Sequence, residues 1–319
     1  MSTDHPTSLA TSGPDLPRAD AGCVREVWVV VSPKSGSGQG RDRVQLLQQR
    51  LIEAGVECTI NDSIDQLQQR LAGVDRQQIP SELVIVAAGG DGTLALVAEH
   101  TPSCVPIVPL PMGTENLVAR HFEHSPLPES ALETILNGTD MVLDAGRANG
   151  RLFLVMASAG FDAEVVRAVH LRRRGFITRF TYIGPIVRAI QRYKFGKIRV
   201  TVESDDSPEP TTVVARWAMA FNLPCYARSL AIEPDAIGDD GRLDVITLRY
   251  GSLLSGLRYL FGILTRQHLR YRDVVRKRGQ RIRFESDKRV PYQLDGDYCG
   301  RLPLQIETVP ARVRIRLPR

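Results

Sequence analysis

The residues that can do chemistry sit in three glycine-containing turns. The sharpest is Gly89-Gly90-Asp91-Gly92-Thr93. The apolar run Val84 to Ala88 leads into it, and Thr93 to Glu99 reads as the opening turns of a helix. Glycines at a strand-to-helix turn bring backbone N–H groups close to an anion, and the helix dipole adds to that attraction. The chemistry this suits is phosphate binding. Asp91 is out of place in such a loop, because a carboxylate repels phosphate unless it handles a metal or a proton. The plain alternative is a tight turn with an exposed aspartate. A second turn, Ser32-Pro33-Lys34-Ser35-Gly36-Ser37-Gly38-Gln39-Gly40, follows the apolar run Val24 to Val31. It matches neither G-x-x-x-x-G-K-[ST] nor G-x-G-x-x-G, yet Lys34 and the serine hydroxyls suit phosphate. A flexible connection is its alternative. The third turn begins at Pro111 and runs through Gly113, Thr114, Glu115 and Asn116 to Arg120. Thr114 is placed to cap a helix that starts at Leu117.

Strands and helices must position these turns. Arg43 to Ala54 reads as a helix with Val44, Leu47 and Leu51 on one face. Val56 to Ile60 reads as a strand, Ile64 to Leu71 as a short helix, and Val105 to Leu110 as a further strand. Alternating strands and helices build a parallel sheet covered on both faces, and ligands of such sheets lie at the carboxyl ends of the strands. All three turns fall at that edge. From Met141 the pattern changes to many short strands, several alternating as in Arg312-Val313-Arg314-Ile315-Arg316-Leu317. That predicts an antiparallel domain. The expected fold class is α/β: a three-layer parallel-sheet nucleotide domain over residues 23–140, then an antiparallel β-sandwich-like domain over 141–319. Residues 1–22, rich in Ser, Thr, Pro and Asp, are expected to be a disordered tail.

Composition narrows the function. The 319 residues, 43% hydrophobic, suffice for two cores. No apolar run approaches the roughly 20 residues of a membrane span, and no signal-peptide core is present. Five scattered cysteines without a C-x-x-C read as reduced thiols of a cytoplasmic protein. Neither G-x-S-x-G, H-E-x-x-H nor a Cys/His cluster occurs. The net charge of +5 hides a split: residues 1–140 carry 9 Lys and Arg against 18 Asp and Glu, residues 141–319 carry 32 against 18. The second half is thus built to meet an anionic surface. Two stretches concentrate its charge. Between Glu164 and Glu203 ten Lys or Arg occur with no acid, and Phe176, Phe180, Ile183, Val187 and Ile190 share a helical face. Leu253, Leu257, Leu260, Phe261 and Leu264 form a second such face, followed by a basic run from Arg266 to Arg283. Basic amphipathic helices suit an anionic membrane. An ordinary helix with a solvated basic rim is the alternative. No nucleic-acid recognition motif is present, so no nucleic-acid partner is expected.

With these turns in place, the chain resembles the diacylglycerol kinase catalytic-domain family, which includes bacterial lipid kinases, sphingosine kinases and ceramide kinases. Gly89 to Thr93 matches the family's nucleotide loop. Ser32, Pro33, Lys34, Ser35 and Gly36 look like its first-strand turn, and Gly113, Thr114 and Asn116 lie in its Gly-Thr-x-Asn segment. Ala159-Gly160-Phe161-Asp162 resembles a signature of its second domain. The resemblance implies ATP and Mg2+ as cofactors, phosphate contacts from these three turns, and a membrane lipid as acceptor at the inner membrane face. It implies that Asp295 and Asp297 of Asp295-Gly296-Asp297 supply the proton-accepting carboxylate, with Asp91 acting through Mg2+. It also implies a structural magnesium site at Asp240, with the carbonyls of Ile237 and Arg242. Departures are Ser32 for Asn, Glu115 for the common Gly, Asp297 for Glu, and Ala227-Arg228-Ser229 for a glycine-rich segment. A soluble-substrate kinase resembling NAD kinase, and a non-catalytic lipid-binding regulator, are the competing readings. Oligomeric state is left open, with a homodimer allowed.

Overall fold

A computed structural model describes residues 24–32, 38–72, 82–170, 196–226, 230 and 232–319. The expected tail, the turn at 33–37, the replacement at 227–229 and most of the first basic stretch lie outside the described residues. The first half alternates as expected: β1 (Glu26–Val31), α1 (Gly38–Glu53), β2 (Glu57–Asn61), α2 (Ile64–Ala72), β3 (Leu83–Gly89), α3 (Asp91–His100), β4 (Pro106–Pro111), α4 (Leu117–His121) and α5 (Pro128–Asn137). The four strands pair in parallel in the order β2-β1-β3-β4. Side chains alternate across this sheet. Val27, Val29, Val84 and Val86 pack with Leu47 and Leu51 of α1 and Ile135 of α5. Trp28, Val30, Ile85 and Ala87 face Leu67 of α2 and Leu94 and Val97 of α3. Both faces are covered, which is why the strands read as continuous apolar runs.

The second half contains β5 (Thr139–Ala148), β6 (Arg151–Phe153), β7 (Met156–Ala159), α6 (Phe161–His170), β8 (Ile198–Ser204), β9 (Ser207–Ala215), β10 (Trp217–Phe221), β11 (Leu243–Leu248), α7 (Leu253–Leu264), β12 (Val274–Gly279), β13 (Arg281–Glu285), β14 (Pro291–Leu294), β15 (Asp297–Arg301) and β16 (Leu304–Leu317). β12-β11-β10-β7-β14-β15 form an antiparallel sheet. The other strands extend the first sheet. β16 pairs antiparallel with β5 and β13, and parallel with β4 through Arg314 opposite Pro106 and Ile315 opposite Ile107. The final strand, expected wholly within the second domain, therefore also completes the nucleotide sheet. The basic run 266–283 spans several elements. Its first part follows α7, and the rest lies in β12 and β13, where Arg276 pairs with Glu233 and Asp235, Arg278 with Asp240 and Asp244, and Arg281 with Glu203. Among the described residues, no helix is long and apolar enough to cross a membrane.

Candidate active site

The order β2-β1-β3-β4 reverses direction between β1 and β3, and crevices open at such switch points. The Gly89–Thr93 turn leaves β3 there. The N–H groups of Thr93 and Leu94 both turn back to the Gly90 carbonyl at 3.0 Å. The positive end of the α3 dipole lies at this turn. The third turn packs against it: a Cβ on Gly113 would sit 2.7 Å from both Gly90 Cα and Asn116 Oδ1. Only glycine fits. Asn116 adopts a left-handed conformation (φ 49°, ψ 54°). Its Oδ1 accepts the Gly113 N–H at 2.9 Å, and its Nδ2 donates to the Gly113 carbonyl at 2.9 Å.

Thr114 does not cap α4, contrary to the sequence expectation. It is exposed, and the N-cap is Asn116. The Val118 N–H donates instead to Asp91 Oδ1 at 3.2 Å, so Asp91 ties the first phosphate turn to the third. Burial pushes the Asp91 carboxyl above its ordinary range; amide hydrogen bonds oppose this, and the neighbouring Glu115 charge adds to it. One carboxylate oxygen of Glu115, Oε2, is buried without a hydrogen-bond partner.

Asp295 and Asp297 approach from the second sheet. Asp295 lies between β14 and β15 at φ 48°. Its carboxylate accepts three consecutive backbone N–H groups: Leu154 at 2.7 Å, Val155 at 2.9 Å and Met156 at 2.9 Å. The chain leaves strand geometry between β6 and β7 at this point, because these amides turn toward the acid instead of a ladder. Asn222 Nδ2 donates to the Leu154 carbonyl at 2.8 Å and secures the break from the other side. Desolvation outweighs the three amides and, with the Asp91 charge, pushes the Asp295 carboxyl up to about 6. Asp297 is half-exposed and reaches further. Its Oδ2 lies 3.0 Å from where a Cβ on Gly92 would be, and 3.6 Å from Arg151 Nη2. An acid of the second sheet thus touches the glycine turn of the first.

A polar network behind the acid turn was not anticipated. Asp162 accepts from the Ser158 and Tyr226 hydroxyls, and from Gln293 Nε2 at 3.2 Å. Gln293 also donates to Ser158 Oγ at 2.9 Å and accepts the Gly296 N–H at 2.7 Å. Gln293 therefore holds the turn that carries Asp295 and Asp297. The Gly160-Phe161-Asp162 signature was the available signal.

The metal expectations divide. At the expected structural site, Asp240 Oδ2 is 2.5 Å from Arg278 Nη2, and Oδ1 accepts the Arg242 N–H at 3.0 Å. A guanidinium stands where the cation was expected, so these residues do not fit a divalent ion as arranged. Ile237 leaves the site only its carbonyl. At the glycine turn the chemistry is different. Asp91 and the unpartnered Glu115 oxygen suit magnesium that arrives with phosphate ligands, the usual mode for that ion. Among the described residues, no three metal-ligating side chains come together without such help. Ser32, just after β1, donates its N–H to the Ala88 carbonyl at 3.4 Å, which ties the end of β1 to the end of β3.

A parallel sheet with anion-binding glycine turns, faced across a cleft by carboxylates of an antiparallel sheet, defines a two-domain phosphotransferase. Comparison with known proteins carries this to a family. The diacylglycerol kinase catalytic domain matches residues 26–148, and the YegS C-terminal NAD kinase beta sandwich-like domain matches residues 155–317. A diacylglycerol kinase of Staphylococcus aureus (strain MRSA252) is 23% identical over 297 residues, 91% of each chain. One of Bacillus subtilis (strain 168) is 22% identical over 306 residues, 93% of this chain and 97% of the other. A crystal structure of a Bacillus anthracis diacylglycerol kinase shares the fold, with TM-score 0.60 and 16% identity, over 92% of this chain and 97% of that one. The chain belongs to the diacylglycerol kinase catalytic-domain family and is an ATP-dependent kinase.

Proposed function

We propose that the enzyme transfers the ATP γ-phosphate to a hydroxyl of a membrane lipid, diacylglycerol or a close relative, at the inner membrane face. The observation that carries this is the approach of Asp297 to Gly92. It sets a half-exposed carboxylate beside the turn that would hold the transferred phosphoryl group. The N-terminal end of α3, with the turns at 32–36 and 113–116, binds and orients the triphosphate. Asp297 accepts the proton of the lipid hydroxyl as oxygen attacks phosphorus. Asp295, held by three amides, has no freedom to swing and fixes the turn that aims Asp297. Mg2+ bound with ATP through Asp91 and Glu115 would supply charge neutralisation on the phosphates. The second-half basic charge supports an anionic membrane as the surface on which the acceptor is met.

The test is transfer of labelled γ-phosphate from ATP and Mg2+ to a panel of lipids in anionic vesicles, with NAD and water as controls. Asp297→Asn is expected to lower turnover about 10²–10⁴-fold with ATP binding retained, the range of general-base catalysis. Asp91→Asn is expected to abolish activity and to raise the Mg2+ concentration at which ATP binds. Label in NAD alone would replace the lipid reading by a soluble-substrate one.

A further inference from the structure

Helix α7 is fastened by one side only. Tyr259 is fully buried; its hydroxyl bonds Asp273 and accepts the Tyr250 N–H at 3.0 Å. Ile263 is buried beside it, and the Tyr271 ring packs so closely on Gly262 that a Cβ there would lie 2.7 Å away. An ordinary surface helix would then be polar on its outer side. This one is not. Leu254 is 79% exposed, Phe261 63%, Leu264 61%, Leu257 49% and Leu260 43%. Positions 254, 257, 261 and 264 follow one another turn by turn, so they form a continuous ridge. Scattered exposed leucines need no explanation, but a contiguous row of five marks a surface that something covers.

Charge identifies what covers it. Residues 245–284 contain ten Lys or Arg; Arg258 is bound by Asp273 at 2.7 and 2.9 Å, and Arg276, Arg278 and Arg281 are held by acids from other segments, which leaves the arginines that follow the helix as the charge beside the ridge. Arg266, Arg270 and Arg272 are exposed just past the end of the ridge. A second copy of this chain seated on the ridge would bring two such clusters together, at a cost in repulsion. An anionic lipid surface meets both demands. We infer that α7 is the element that docks the enzyme on an anionic phospholipid membrane, its ridge among the acyl chains and Arg266, Arg270 and Arg272 at the phosphates. The inference deepens the lipid-acceptor reading by assigning its membrane contact. The helix is also joined to the site by a chain of packed rings. Tyr259 packs edge-on against Trp217 at 6.0 Å between ring centres, and Trp217 stacks on Phe161 at 4.9 Å, next to Asp162 of the network behind the acid turn.

The experiment is co-sedimentation of the full chain with vesicles of phosphatidylcholine alone or with a third phosphatidylglycerol. Kinase assays on a dispersed short-chain diacylglycerol run alongside. Wild type is expected to partition onto the anionic vesicles and to lose that binding in high salt. L254S/F261S and R266Q/R270Q/R272Q are each expected to weaken partitioning by roughly tenfold or more, from the apolar burial and phosphate contacts removed. Both are expected to keep wild-type activity on the dispersed substrate, which also shows that they fold. Partitioning of L254S/F261S equal to wild type would overturn the assignment. So would a dimer that dissociates only in that variant, which would give the ridge to a second copy. Ridge-dependent binding without phosphorylation of any lipid would uphold the docking element and defeat the lipid-kinase reading instead.

Discussion

At the scale of single residues, the two acids of the Asp-Gly-Asp turn have different environments and therefore different duties. Asp295 is tethered by amides whose donors lie about 140 positions earlier in the chain, while Asp297 faces the cleft. The raised Asp295 pKa has a thermodynamic consequence. An unfolded aspartate protonates near 3.8, the folded one near 6. Between these values the folded state binds more protons, so this group favours folding increasingly as pH falls through about 6, with the effect complete below 3.8. Asparagine mimics the protonated form. The unfolding free energy of Asp295→Asn relative to wild type is thus expected to fall as pH drops from 7 to 5. Urea titrations at several pH values measure it, and a difference independent of pH would refute the buried, raised carboxyl. Asp244, also pushed up to about 6 by burial, adds a slope of the same sign to the wild type and cancels in that comparison.

At the scale of elements, the three turns work because two of them interlock. Gly113→Ala must displace the Gly90 backbone or the Asn116 amide, both 2.7 Å from the new carbon. A loss of about 1–3 kcal/mol is expected in unfolding experiments, with a larger fractional loss of ATP affinity because the anion site is distorted. These turns were legible in the sequence, since strand, glycine cluster and helix start are all local signals. The cradle of Asp295 was not, because its donors are backbone amides that carry no side-chain signature. Strand β12 was hidden for a related reason. Val274-Val275-Arg276-Lys277-Arg278 looks like a helix's basic rim until its arginines are seen to bind Glu233, Asp235, Asp240 and Asp244 from distant segments. The Arg278 bridge also predicts that chelation by EDTA leaves the melting temperature unchanged. Arg278→Gln, by contrast, is expected to cost about 1–2 kcal/mol, the range for a half-exposed charged hydrogen-bond donor. If Mg2+ then restores the lost stability in the variant alone, the guanidinium has been acting in a cation's place. A melting temperature of wild type that drops in EDTA would show that it has not.

At the scale of the whole molecule, the nucleotide half is fastened to strands contributed by the second half. Glu99, at the end of the helix that starts in the phosphate turn, bonds Arg147 at 2.8 Å and the Leu152 N–H at 2.7 Å. Arg312 donates to the carbonyls of Glu99 and Thr101 at 2.8 and 2.9 Å. One helix therefore runs from the nucleotide turn to the strands β5, β6 and β16 with which the second half extends the first sheet. Removal of residues 312–319 is expected to abolish folding of both halves together, read as loss of the cooperative unfolding transition.

Because β4 pairs with β16, the nucleotide sheet keeps an open edge until residue 317 has been made. During synthesis, the ATP-binding half emerges first yet cannot close first. Its parallel strands must wait, with an apolar edge available to other chains, for a partner some two hundred residues away. Vectorial folding, one domain after another, is closed to this topology. The nascent chain depends on either speed or a chaperone to cover β4, and an interrupted translation product has no folded half to fall back on.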